Sequence, residues 1–183
     1  MQPRVVSVQV GRARDYPGPP AWRSAFFKEP VTGRVSVTVD GLDGDESADL
    51  TVHHGREQAL LAYAFAHYAL WREEIGLDAG PGGFGENLTV AGADETTVRI
   101  GDLVRVGGAL LEVTFERGPC VKISHRWGRP DLTRRVGKTG RTGWYHRVVE
   151  PGEVGAGDAY ELVERQAGAP TILEAMRGVG PSR

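Results

Sequence analysis

The chain has 183 residues, of which 40% are hydrophobic and 25% charged, with 22 Lys+Arg against 24 Asp+Glu and a formal charge of −2. This length and balance fit one globular domain with a real core, and the near-neutral total argues against a general nucleic-acid binder. No apolar run approaches the ~20 residues that span a bilayer, so a membrane is not expected either.

In chain order, Met1-Gln2-Pro3-Arg4 leads directly into an alternating Val5–Val10, which predicts a strand and leaves no room for a secretory leader. A single cysteine without such a leader is expected in a reducing, cytoplasmic setting. Residues Gly11–Pro30, with Pro17, Pro19 and Pro20, read as a loop. Val35–Val39 alternates again. Gln58–Ile75, rich in Ala, Leu and aromatic residues, predicts one long helix that ends at Gly76, apolar nearly all round and therefore buried. His67 falls within it and reads as a core histidine with a satisfied hydrogen bond. Leu103–Val106, Leu110–Phe115, Trp144–Val149 and Ala159–Val163 are further short strands separated by glycine-bearing turns, the pattern of a twisted barrel or sandwich. Shorter helices are expected near Asp131–Val136 and Pro170–Arg177, and residues 178–183 should fray.

Four groups carry candidate chemistry. Asp49–Arg56 contains His53-His54-Gly55, which could supply a ligand, a proton donor or only a turn; adjacent histidines lack the i, i+4 spacing that puts both on one helix face. Gly82–Thr89 is a glycine loop in which backbone can approach a ligand closely and Asn87 can offer its amide, or it is a plain turn. Gly143–Val148 reads as a strand whose Trp144 and Tyr145 belong to the core. The fourth group is Arg117-Gly118-Pro119-Cys120-Val121-Lys122, with the only cysteine of the chain. One thiol cannot form an internal disulfide or hold an iron–sulfur cluster on cysteine ligands. Cys120 is either a small buried hydrophobe, or it acts alone as nucleophile, sulfur carrier or single ligand to a metal that brings its other ligands. Residues 117–147 carry nine Lys and Arg against Asp131 alone, so this stretch is +8 and the remainder −10. Such an excess is either a solvated face or an anion site.

Taken together and in this order, Asp49–Arg56, Ala59–Tyr63, Gly83–Thr89, Ile100–Asp102, Leu110–Cys120, Gly143–Val148 and Gly152–Asp158 resemble the MOSC domain family, related to the C-terminus of molybdenum cofactor sulfurase. Two departures flank the region of interest: Arg56 stands where the family often has a second glycine, and Glu116 where it often has a proline. The resemblance implies a mainly β fold with α, a twisted β-barrel over residues 1–165 with one long buried helix and short peripheral helices. Residues 166–183 would form a short C-terminal helix and tail, a truncated form of the extension that longer members carry. It also implies a pyranopterin molybdenum cofactor with Cys120 as the thiolate ligand to the metal. Arg117, Lys122 and Arg126, with Gly85, Glu86 and Asn87, are then expected to bind the cofactor, and His54 to donate a proton. The implied activity is reduction of N-hydroxylated compounds with electrons from an external donor protein, because no GxGxxG fingerprint follows a strand. Two alternatives remain: a persulfide carried on Cys120 for metal-sulfur assembly, or a module that only binds or delivers the cofactor.

Overall fold

The apolar run Leu60–Ala64 is the centre of the structure, and it is a strand. The computed structural model describes residues 2–16, 21–46 and 55–178. In chain order the elements are β1 (Arg4–Val10), β2 (Arg14–Tyr16), β3 (Trp22–Ser24), β4 (Glu29–Pro30), β5 (Arg34–Thr38), β6 (Gly41–Leu42), a 3-10 turn (Gly55–Gln58), β7 (Leu60–Ala64), α1 (Ala66–Ile75), β8 (Leu88–Ala91), β9 (Leu103–Val106), β10 (Ala109–Glu116), α2 (Val121–Trp127), α3 (Leu132–Thr139), β11 (Trp144–Glu150), β12 (Gly152–Gly155), β13 (Tyr160–Glu164) and α4 (Ile172–Met176).

Eight strands form one sheet in the order β13-β9-β10-β11-β7-β8-β1-β4. All neighbours are antiparallel except β7 and β8. β7 therefore lies between β11 and β8, and all five of its residues are buried. This corrects the expected Gln58–Ile75 helix, whose helical part is only Ala66–Ile75. A continuous apolar run fits a helix buried all round and equally a central strand covered on both faces, and periodicity alone does not separate them. Gly76 does stop the helix, as expected, in the left-handed conformation at φ 66°.

The sheet is not closed by a continuous ladder among the described residues, so the fold is a curled, sheet-dominated α/β arrangement in which strand pairing does not complete the expected twisted β-barrel. Its two sides meet at the Arg4–Ala159 bridge, where Val5 N–H donates to the Asp158 carbonyl at 2.8 Å, Gly157 N–H to the Val5 carbonyl at 2.9 Å and Tyr160 N–H to the Pro3 carbonyl at 2.9 Å. A smaller sheet, β12-β5-β6, packs beside it. The expected loop over Gly11–Pro30 instead contains β2, β3 and β4. β2 pairs with β3 through Tyr16 and Trp22, and these two rings stack at 4.8 Å. Cross-strand aromatic contacts of this kind outweigh the turn signal of nearby prolines. α4 is docked rather than loose: its Ile172 is fully buried and Thr171 and Glu174 form a reciprocal capping box. Among the described residues no helix is long and apolar enough to cross a membrane.

Two cores result. One lies inside the curl of the sheet around Leu60, Leu88, Leu111 and Trp144. The other packs α1, α2 and α3 on its outside around Tyr63, Trp71, Phe84 and Ile123, with Cys120 at its margin. His67 is the core histidine the sequence suggested, with Nε2 2.6 Å from Glu95 Oε2. His146 is fully buried, 2.8 Å from the Tyr160 hydroxyl. Burial lowers its pKa to about 3, with the Leu60 backbone partly opposing.

An unfolded histidine binds a proton below about pH 6.5 while the folded His146 does not until about pH 3, so acid favours the unfolded chain across that interval. His146 should therefore make stability fall by ~1.4 kcal/mol per pH unit once the solution is well below the unfolded pKa. His146→Gln should flatten that slope between about pH 6 and about pH 4 in chemical denaturation. Equal slopes in both proteins would assign the acid sensitivity elsewhere.

Candidate functional site

β10 does not end cleanly. Its pairing with β11 slips between Val113 and Glu116, a bulge that bends the strand as it delivers Glu116 and Arg117 to the edge of a cavity. The chain then turns through Gly118 and Pro119, anchored by Arg117 N–H on the Gly143 carbonyl at 3.1 Å, and enters α2 with Cys120 at the N-cap. The sequence reading missed α2. Val121-Lys122-Ile123-Ser124-His125-Arg126-Trp127 has weak helix propensity and a cysteine cap, and tertiary contacts hold it instead. Ile123 is fully buried, the Ser124 and Thr133 hydroxyls are 2.7 Å apart, and Thr133 Oγ1 donates to the Cys120 carbonyl at 3.1 Å.

The cavity measures about 340 Å³, room for a cofactor-sized group or substrate. Its wall includes Cys120, Arg117, Lys122, Gly85 and Asn87 from the expected set, Lys28 and Asp45, which the sequence did not single out, Glu116, which stands out there only as a departure from the family pattern, and Tyr145, expected in the core. Cys120 is half-buried, and Arg117 Nη2 lies 4.0 Å from its Sγ, a long and weak contact. The Arg117 guanidinium is buried beside the Phe26 ring, 5.7 Å from its centroid, and its Nη1 has no hydrogen-bond partner among the described residues. Burial raises the Tyr145 pKa, which the Arg117 charge and hydrogen bond draw back, so the phenol keeps its proton at neutral pH.

The other expected ligands stand behind the wall. Asn87 touches the cavity, but its side chain is spent: Oδ1 accepts from Leu61 N–H at 3.1 Å and Nδ2 donates to Asp45 Oδ2 at 2.7 Å. Asp45 in turn accepts from Gly11 N–H at 2.7 Å and from the Lys28 ammonium. Burial pushes the Lys28 pKa below its ordinary value, while Asp45 opposes. Glu86 is fully buried and outside the cavity lining. It accepts from Gly82 N–H at 2.7 Å, Phe84 N–H at 3.1 Å, Thr89 Oγ1 at 2.9 Å and the Tyr68 hydroxyl, and so shapes the glycine loop from within. Gly85 sits at φ 81°, and a Cβ there would come within 2.7 Å of the Phe26 ring. Arg126 donates to the carbonyls of Gly82 at 3.0 Å and Phe26 at 3.4 Å, tying the loop to α2 rather than facing the cavity. His54 and its neighbour His53 lie outside the described residues.

The basic stretch also divides. Arg141 is bonded to both oxygens of Glu74, Arg147 pairs with Glu112, and Arg129 and Arg135 share Asp131. Only Arg117 and Lys122 of the nine line the cavity. Among the described residues no three His, Cys, Asp or Glu side chains converge on a point where they could hold an ion.

The curled, sheet-dominated fold agrees with the comparisons with known proteins. The MOSC domain model matches residues 49–161, and the chain belongs to that family. YiiM of Escherichia coli strain K12 is 38% identical over 175 residues, which cover 93% of this chain and 76% of that protein. The crystal structure of YiiM from Geobacillus stearothermophilus superposes with a TM-score of 0.81 at 31% identity, covering 96% of this chain and 82% of that one. A Gibberella moniliformis protein named reductase is 35% identical over 158 residues, 84% of this chain but 28% of its own length. The chain is thus similar to stand-alone YiiM proteins and, more distantly, to part of a reductase.

Asn87→Ala should cost ~2–3 kcal/mol in denaturant unfolding, because it leaves the buried Leu61 N–H unmatched and takes one partner from the half-buried Asp45. An unchanged unfolding midpoint would return Asn87 to the role of a ligand-reading amide.

Proposed function

We propose that the cavity receives a pyranopterin molybdenum cofactor and that the protein is an oxidoreductase acting on N-hydroxylated compounds such as hydroxylamino bases and amidoximes. The observation that carries this reading is the pairing of Cys120 with Arg117, whose guanidinium is buried with an unmatched donor. A buried cation lacking an acceptor is costly, and an anionic group seated against it removes the cost. A group with a phosphate and a soft metal that needs one more sulfur therefore fits the residues present. The family membership and the reductase-named relative support the same class of chemistry.

In this reading the Cys120 thiolate holds the metal, and Arg117 and Lys122 neutralise the anionic end. Lys28, locked to Asp45, fixes the opposite wall. When bound, the group supplies the two electrons that cleave an N–O bond. The balance is R–NH–OH plus two electrons and two protons giving R–NH2 and water. Tyr145 is a protonated hydroxyl in the described wall, and His54 is our proposed proton donor because an imidazole ionises near neutral pH.

Cys120→Ser should lose molybdenum and activity with little change in melting temperature, since the change is small and a hydroxyl is a poor soft-metal ligand. Near wild-type turnover would sink the ligand assignment, and stoichiometric sulfane sulfur without molybdenum in the wild type would favour a persulfide carrier. Arg117→Ala should lower retained pterin by roughly ~1.5–3 kcal/mol of binding while Arg134→Ala, on an exposed face, leaves it unchanged. Elemental and pterin analysis of both purified variants reads this directly, and equal cofactor content would count against the anion site.

A further inference from the structure

We infer that the surface formed by Pro119, Val121 and the outer faces of α2 and α3 is the docking site for an acidic electron-carrier protein, an inference that rests on the reductase reading above. Val121 is 57% exposed, the most exposed large hydrophobic side chain among the described residues, and it directly follows Cys120. Gly118 and Pro119 are exposed beside it. α3 comes up against this point, because a Cβ on Gly137 would lie 3.3 Å from Pro119 Cγ. Arg134 and Lys138, four residues apart and so one turn apart, stand exposed on the same helix, opposite its buried Leu132 and Val136.

The exposed charges on this face have no acid to meet. Several exposed arginines elsewhere are paired, Arg23 with Asp15, Arg56 with Asp40, Arg72 with Asp78 and Arg105 with Glu150, while Arg4, Arg12 and Arg177 have no ion pair among the described residues. Arg134 and Lys138 have no ion pair among the described residues, and the one acid on this stretch, Asp131, is already held by Arg129 and Arg135. A small apolar centre ringed by unpaired cations, on a chain of net charge −2, complements an acidic partner and steers it to this face. Encounters of electron carriers are small and weak, so an interface this size suffices. Its position supplies the reason for it: Cys120 directly precedes the exposed Val121 at the start of α2, so a carrier seated here stands close to the cysteine. Each N–O cleavage takes two electrons, so a one-electron carrier docks twice and leaves oxidised each time, while the two protons come from solvent.

The test uses 15N-labelled full chain titrated with a purified acidic flavodoxin. Amide shifts should cluster at residues 118–125 and 134–138 and fade as salt rises from about 20 to about 200 mM. The double variant Arg134→Glu/Lys138→Glu should weaken binding, and raise KM for reduced flavodoxin, by roughly tenfold or more, whereas Arg4→Glu should do neither. Turnover with dithionite-reduced methyl viologen should be the same in all three proteins. Viologen turnover with flavodoxin shifts that are absent, scattered or insensitive to charge reversal would overturn the docking site and leave the reductase reading standing. Charge-sensitive flavodoxin binding at this face without any viologen turnover would do the opposite. Tighter binding of a single-stranded DNA oligonucleotide at the same amides would overturn it in favour of a nucleic-acid surface.

Discussion

Asn87 and Leu61 hold each other twice, through Asn87 N–H on the Leu61 carbonyl at 2.8 Å and Leu61 N–H on Asn87 Oδ1 at 3.1 Å. The rest of the site depends on that clamp. It fixes the start of β8 against β7, and Gln9 N–H donating to the Asn87 carbonyl at 2.8 Å adds β1. The side-chain amide donates to the Gln9 carbonyl at 3.3 Å and to Asp45 at 2.7 Å, and Asp45 holds Lys28, so one side chain joins three strands to a charged cavity wall. A neutral amide suits this position because it donates and accepts at once, which an aspartate cannot do. Glu86, its neighbour in sequence, points the other way and organises the glycine loop with four hydrogen bonds. Residues of one short motif thus serve as scaffold on both sides of the wall, leaving the cavity to a few groups.

Those groups are poised by incomplete satisfaction. Most cations of the basic stretch are spent on local work: Arg126 on loop carbonyls, Arg141 on Glu74 and on the Trp71 face at 4.7 Å, Arg147 on Glu112. Arg117 differs in being buried with a donor unused among the described residues. Native structures rarely leave such a group unmatched without a functional cause. The bulge at the end of β10 sets it next to Cys120, and the same bend opens the turn that exposes Pro119 and Val121. The chemistry proposed at the thiol would therefore depend on one irregularity in one strand.

Much of this could be read from residue patterns because it is local. The outer strands alternate over four to eight residues, Gly76 marks a helix end, and the isolated thiol beside concentrated basic charge marks a site; composition and spacing determine these. What tertiary structure decided is where the patterns are ambiguous. Leu60–Ala64 is a strand because β8 and β11 offer partners on both sides, whereas its composition alone suits a buried helix. α2 exists because Ile123 has a core to enter and Thr133 a carbonyl to bind, though its own propensity is poor. Which arginine faces the cavity, and whether an asparagine reads a ligand or braces a strand, depends on distances between residues far apart in the chain: Asn87 meets Asp45 across 42 positions and Arg126 meets Phe26 across 100. The sequence determined the chemical inventory and the short-range elements, because propensity and pattern act within a few residues. Only the folded chain assigned roles within that inventory, because hydrogen bonds and burial are settled by neighbours that sequence order does not reveal.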